Sequence, residues 1–144
     1  MNENGIIIDD DRYILDQFKE LFSILQMDRT IKPMYFREIE EAEKWIVSLD
    51  DSKQLKFAIL DLMFPPKNQA KIYGNEQDLI IGLNFFKKYL KDQIFTIVYT
   101  NAIHLPSIKS YIINIIQPDG MAELIEKPGI LIDIAKTITQ KLQK

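Results

Sequence analysis

The chain has 144 residues, 47% of them hydrophobic, and a formal net charge of −3. That suits one compact domain with a single core, and the lack of a basic tract speaks against direct nucleic-acid binding. With no cysteine and one histidine, His104, the sequence excludes disulfides, thiol catalysis, zinc–thiolate centres and multi-histidine metal sites.

No stretch approaches the ~20 apolar residues of a membrane span, and the polar start "MNENG" is no signal peptide. The expectation is a cytoplasmic protein with no membrane partner.

The first segment, "GIIIDDDR", runs three isoleucines into three aspartates. The isoleucines read as a buried strand from Gly5 to Ile8. Unpaired buried carboxylates cost several kcal/mol each, so the aspartates either face water or gather around a cation. Ile14, Phe18, Leu21, Phe22 and Leu25 then keep helical spacing, with Asp11 as the cap or first-turn residue of that helix.

A second strand follows at Ile31–Phe36, and Ala42, Trp45, Ile46 and Leu49 mark a second helix. Strand three is Phe57–Leu60, ending on Asp61, and Leu83, Phe86 and Leu90 mark helix three. Strand four, Phe95–Tyr99, ends on Thr100; the isoleucine-rich stretch after it keeps a helical stripe at Ile108, Tyr111, Ile112 and Ile115. Strand five, Glu123–Ile125, leads to Lys127. A last helix carries Leu131, Ile134, Ala135, Ile138 and Leu142 on one face, with Pro128 near its start.

Five strand–helix repeats imply an α/β fold with a parallel sheet covered on both faces, because parallel neighbours need crossover connections. In such sheets ligands bind beyond the carboxyl ends of the strands. There the sequence delivers Asp9, Asp10, Asp61, Thr100 and Lys127. Oxygen ligands in a small cluster suit Mg²⁺. A lysine beside them makes sense if an anion such as phosphate joins the metal. A carboxylate can itself be the nucleophile and form an acyl phosphate. Taken alone, Asp9 and Asp10 could equally be loop carboxylates, and His104 reads as a solvated loop residue.

The segments "IIIDDD", "ILDLMFP", "YTNA" and "EKP", in order and each at a strand end, resemble the receiver domain of two-component response regulators. The resemblance covers essentially the whole chain. It implies a doubly wound, flavodoxin-like (βα)5 domain over 1–144 with strand order 2-1-3-4-5. It also implies Asp61 as phosphoacceptor, with Mg²⁺ (or Mn²⁺) held by Asp9, Asp10, Asp61 and the backbone carbonyl of Met63. Thr100 and Lys127 would contact the phosphoryl group, and the Lys127–Pro128 bond is a candidate cis peptide.

By the same resemblance the phosphoryl donor is a histidine kinase or histidine phosphotransfer protein. The output partner is unknown, and a homodimer is one form open to it. The chain would be a phosphoacceptor promoting its own phosphorylation and dephosphorylation, not a conventional enzyme. It could be a stand-alone regulator or a piece of a longer chain. Two other readings stay open: a phosphorylation-independent interaction module of the same fold, and a Mg²⁺-dependent phosphatase with an aspartyl nucleophile. The second commonly needs an acid two residues beyond the nucleophile, where this chain has Met63.

Three features depart from the family pattern. Residues 66–81 form an extended connection between strand three and Gly82, the glycine expected to open helix three, and read as a surface loop or a partner-binding flap. Leu124 stands where the family commonly has Tyr or Phe. Asn101 follows Thr100 where a small residue is usual, narrowing access to Asp61.

Overall fold

The structure is a computed structural model that describes residues 3–25, 31–49, 55–62, 76–91, 93–100, 110, 113–114, 121–127 and 131–142. Met63, Asn101, His104, Pro128 and the 66–75 part of the long connection lie outside the described residues. So do all four residues of the stripe, Ile108, Tyr111, Ile112 and Ile115, although Ser110, Ile113 and Asn114 within that stretch are helical.

Five strands, β1 (Glu3–Ile8), β2 (Ile31–Phe36), β3 (Leu55–Leu60), β4 (Phe95–Thr100) and β5 (Ala122–Glu126), form one parallel sheet in the order β2-β1-β3-β4-β5. This is the strand order that the resemblance implies. Four helices have described bounds, α1 (Arg12–Ile24), α2 (Ile39–Ser48), α3 (Glu76–Phe85) and α4 (Leu131–Leu142). None of them is long and apolar enough to cross a membrane.

The chain divides into two compact units, residues 1–58 with 130–144, and residues 59–129. In the first, Ile6, Ile7 and Ile8 are all buried, as consecutive residues can be only when both faces of a strand are covered. β1 and β2 run in register from Glu3↔Ile31 to Ile8↔Phe36. β2 is an edge strand, and its residues 32–36 are all half-buried or exposed. Pro33, which has no N–H to give to a ladder, is tolerated at such an edge.

Asp11 caps α1 as expected, its carboxylate accepting the Tyr13 N–H at 2.9 Å. The buried stripe of α1 is Leu15, Phe18 and Phe22, so Leu15 takes a core position that the sequence pattern assigns to Ile14. α1 packs against α4, whose Ile134, Ala135 and Ile138 are buried on the face the sequence marks. Gly5 lets the ring of Phe57 lie against its backbone, where a methyl group would collide with the ring.

In the second unit β4 is buried along its whole length and pairs in parallel with β5 from Thr96↔Ala122 to Thr100↔Glu126. Helix three differs from expectation. It opens at Glu76 rather than at Gly82, so residues 76–81 are helix and not loop. Gly82 lies inside the helix because its Cα packs on the Leu62 backbone, leaving no room for a Cβ. It is a close-packing glycine, not a turn glycine. The helix continues into a wider π-helical turn at Phe86–Leu90, which buries Phe86 and Leu90.

Candidate functional site

Among the described residues the buried polar or charged side chains are Asp9, Asp61, Thr96, Thr100 and Lys127. Thr96 is accounted for by its own strand start, its hydroxyl donating to the Ile94 carbonyl at 3.0 Å. The other four are residues the sequence sets at the strand ends. Burying charge is costly unless it is paired, so the partners of these groups matter.

Asp61 follows the last residue of β3 and is 1% exposed. Its two oxygens have separate partners. The Thr100 hydroxyl donates to Oδ1 at 2.9 Å, and the Lys127 ammonium donates to Oδ2 at 3.2 Å. Both partners are placed by one ladder: Thr100 ends β4, and the Lys127 N–H donates to the Thr100 carbonyl at 3.1 Å, one step past the last β4–β5 pair. The Lys127 ammonium also sits over the ring of buried Tyr99, 5.5 Å from its centroid, a distance at which the ring's negative face attracts it. From the sequence Tyr99 reads only as a strand residue. A phenol next to the site threonine is the one signal it gives.

At the end of β1, Asp9 is buried and Asp10 half-buried. The Asp9 N–H donates to the Phe36 carbonyl at 3.0 Å, carrying the β1–β2 ladder one step further. The Asp9 carboxylate accepts the Asp11 N–H at 2.9 Å. Asp9 and Asp10 close β1, and Asp61 closes its sheet neighbour β3. Carboxylates at such strand ends are of the kind that can hold a metal ion. Every donor is a hard carboxylate oxygen, which fits Mg²⁺ or Mn²⁺ and does not suit a soft metal.

Leu124 lies half-buried in β5, paired in register with Val98. Arg37, the first residue after β2, is not among the sequence candidates. Its Nε–H donates to the main-chain carbonyl of Asp10 at 3.1 Å. The candidates come from the ends of strands one, three, four and five. A single arginine after strand two carries no local pattern that sets it apart from a surface charge; its place at the same sheet edge is the only signal.

No family model matches the sequence, and no curated protein matches it. Solved structures do. The chain is similar to a CheY-like response regulator receiver domain protein from Methanospirillum hungatei JF-1, with 19% identity, a TM-score of 0.66, and 99% of this chain and 95% of that one covered. It is similar to the isolated REC domain of RcsB from Salmonella enterica serovar Typhimurium, solved in the presence of the phosphomimetic BeF3−. There identity is 19%, the TM-score 0.65, and coverage 96% of this chain and 87% of the other. Against the longer RcsB response regulator chain from Salmonella typhimurium the identity is 22% and the TM-score 0.65, over 99% of this chain but only 62% of that one. The fold of this chain is that of the response regulator receiver domains.

Proposed function

We propose that the chain is a receiver whose Asp61 accepts a phosphoryl group, in a Mg²⁺-dependent step, from a histidine kinase or a histidine phosphotransfer protein. One observation carries this reading. A buried carboxylate has a hydroxyl on one oxygen and an ammonium on the other. A stabilising pair alone would not call for this arrangement, since replacing a buried ion pair by apolar residues is often neutral or favourable.

In the proposed step an Asp61 oxygen forms a bond to phosphorus while the bond from phosphorus to the donor's oxygen or nitrogen breaks, its electron pair leaving with the donor. Thr100 and Lys127, which now hold the carboxylate, are the groups that would take up the phosphoryl oxygens. Such catalysis is mostly positioning and electrostatics. Asp9, Asp10 and Asp61 would hold the cation, with the Met63 carbonyl as a further ligand by resemblance. The bound ion would neutralise charge on the transferring group.

In this reading the chain is one receiver domain, cytoplasmic, signalling by protein contact, and not a conventional enzyme. The test is incubation with acetyl phosphate and Mg²⁺, followed by intact-mass measurement. One phosphoryl group should be added. It should be lost with a chelator or with Asp61→Asn, because the amide is not a competent nucleophile. Phosphorylation persisting in Asp61→Asn would move the acceptor elsewhere, and no phosphorylation of the wild type by any donor would favour the interaction-module reading.

A further inference from the structure

We infer that Arg37 is a positioning residue for the aspartate loop, acting by holding one peptide group rather than by its charge. The inference rests on the proposed cation site. The peptide unit between Asp10 and Asp11 is fixed at both of its ends. Its carbonyl, from Asp10, accepts the Arg37 Nε–H at 3.1 Å, and its N–H, from Asp11, donates to Asp9 Oδ1 at 2.9 Å.

These two bonds depend on one another. A peptide group is planar, so its carbonyl and N–H turn together. If the carbonyl left Arg37 and the unit rotated, Asp9 would lose an N–H from its carboxylate and could face a carbonyl oxygen instead. Asp9 is buried, and a hydrogen bond to a charged, desolvated group is among the stronger ones. Arg37 therefore sets which way one oxygen of Asp9 is held, and with it where the other oxygen points.

The anchor for Arg37 is itself rigid. The residue before it, Phe36, accepts the Asp9 N–H at 3.0 Å through its carbonyl and packs its ring on Trp45, centroids 5.8 Å apart. The loop is thus tied to the end of β2 at two points, Asp9 to Phe36 and Asp10 to Arg37. The second tie uses a side chain, so it can be removed by substitution.

Charge and positioning predict opposite signs. A guanidinium bound to the loop that carries the proposed cation ligands repels an arriving cation, so if charge were its only role, removing it should tighten metal binding. If Arg37 positions the loop, removing it should weaken binding. The experiment titrates Mn²⁺ into wild type, Arg37→Ala and Arg37→Lys, reading free Mn²⁺ by electron paramagnetic resonance. Fluorescence of Trp45, the single tryptophan, checks that each variant is folded.

Loss of one such hydrogen bond corresponds to a fall in affinity of about three- to tenfold for Arg37→Ala. Arg37→Lys, which keeps a donor, should recover most of it. The amide proton signal of Asp11 should shift in Arg37→Ala and return in Arg37→Lys. Affinity unchanged or tightened in Arg37→Ala would overturn the inference while leaving the cation site standing. A wild type that binds no Mn²⁺ would overturn the site itself, and the inference with it.

Discussion

The Lys127 ammonium lies 3.2 Å from Asp61 Oδ2, and the two side chains are 10% and 1% exposed. Breaking a buried pair of this kind leaves an uncompensated charge. Lys127→Met should therefore lower stability by roughly 3 kcal/mol in urea denaturation without divalent ions. Adding Asp61→Asn to Lys127→Met should recover part of that loss, because the stranded charge is gone. The coupling from the double-mutant cycle should exceed about 1 kcal/mol. Additive losses would mean the pair is not coupled as its geometry implies.

Lys127→Ala separates metal binding from phosphoryl transfer. Lysine is no metal ligand here, and its ammonium repels an arriving cation, so Mn²⁺ affinity should be kept or rise. Phosphorylation by acetyl phosphate should slow by at least about tenfold, since an ammonium that would bind the phosphoryl group is missing. Equal losses in both measurements would assign Lys127 a structural role only.

Gly82→Ala tests the packing beneath Asp61. In an ordinary helix interior this substitution stabilises by about 1 kcal/mol. At Gly82 the added methyl meets the backbone of Leu62, the residue directly after Asp61. The expected result is a loss of about 1–3 kcal/mol from overpacking, together with slower phosphorylation as Leu62 is displaced. Asn84→Ala, at an exposed position of the same helix, is the control: it should leave phosphorylation unchanged and raise stability by about 0.5 kcal/mol.

The lifetime of a phosphorylated Asp61 depends on side chains that can orient an attacking water. By resemblance to the family these lie two residues beyond the aspartate and two beyond the threonine, here Met63 and Ala102. Neither offers a good hydrogen bond to water, so self-dephosphorylation should be slow. Met63→Asn should shorten the lifetime by roughly ten- to a hundredfold, the equivalent of one good positioning contact. Rapid decay of the wild type, unaltered by that substitution, would refute this.

Much of the fold is legible because strands buried on both faces announce themselves. "IIID" and "FAILD" are apolar runs that stop at a charge, and both stop where the structure ends β1 and β3. Asp61, Thr100 and Lys127 can be assembled from order alone, since a parallel sheet puts every such stop at one edge. The relationships hidden in the sequence are those that local pattern does not encode. Gly82 looks like the residue opening helix three, because its close approach to Leu62 is a tertiary fact. Arg37 looks like an ordinary surface charge, because its partner is a backbone carbonyl 27 positions away. Tyr99 looks like strand filler, because the ammonium over its ring comes from the end of β5.

If Asp61 is the acceptor, the phosphoryl group can be located on the chain itself. Borohydride reduction of the acyl phosphate formed with acetyl phosphate and Mg²⁺, followed by peptide mass mapping, reads the position. Position 61 alone should be recovered in reduced form, and only in the sample containing both donor and Mg²⁺. Reduction at another carboxylate, or a phosphoryl group stable to borohydride and carried by a hydroxyl or histidine, would contradict it.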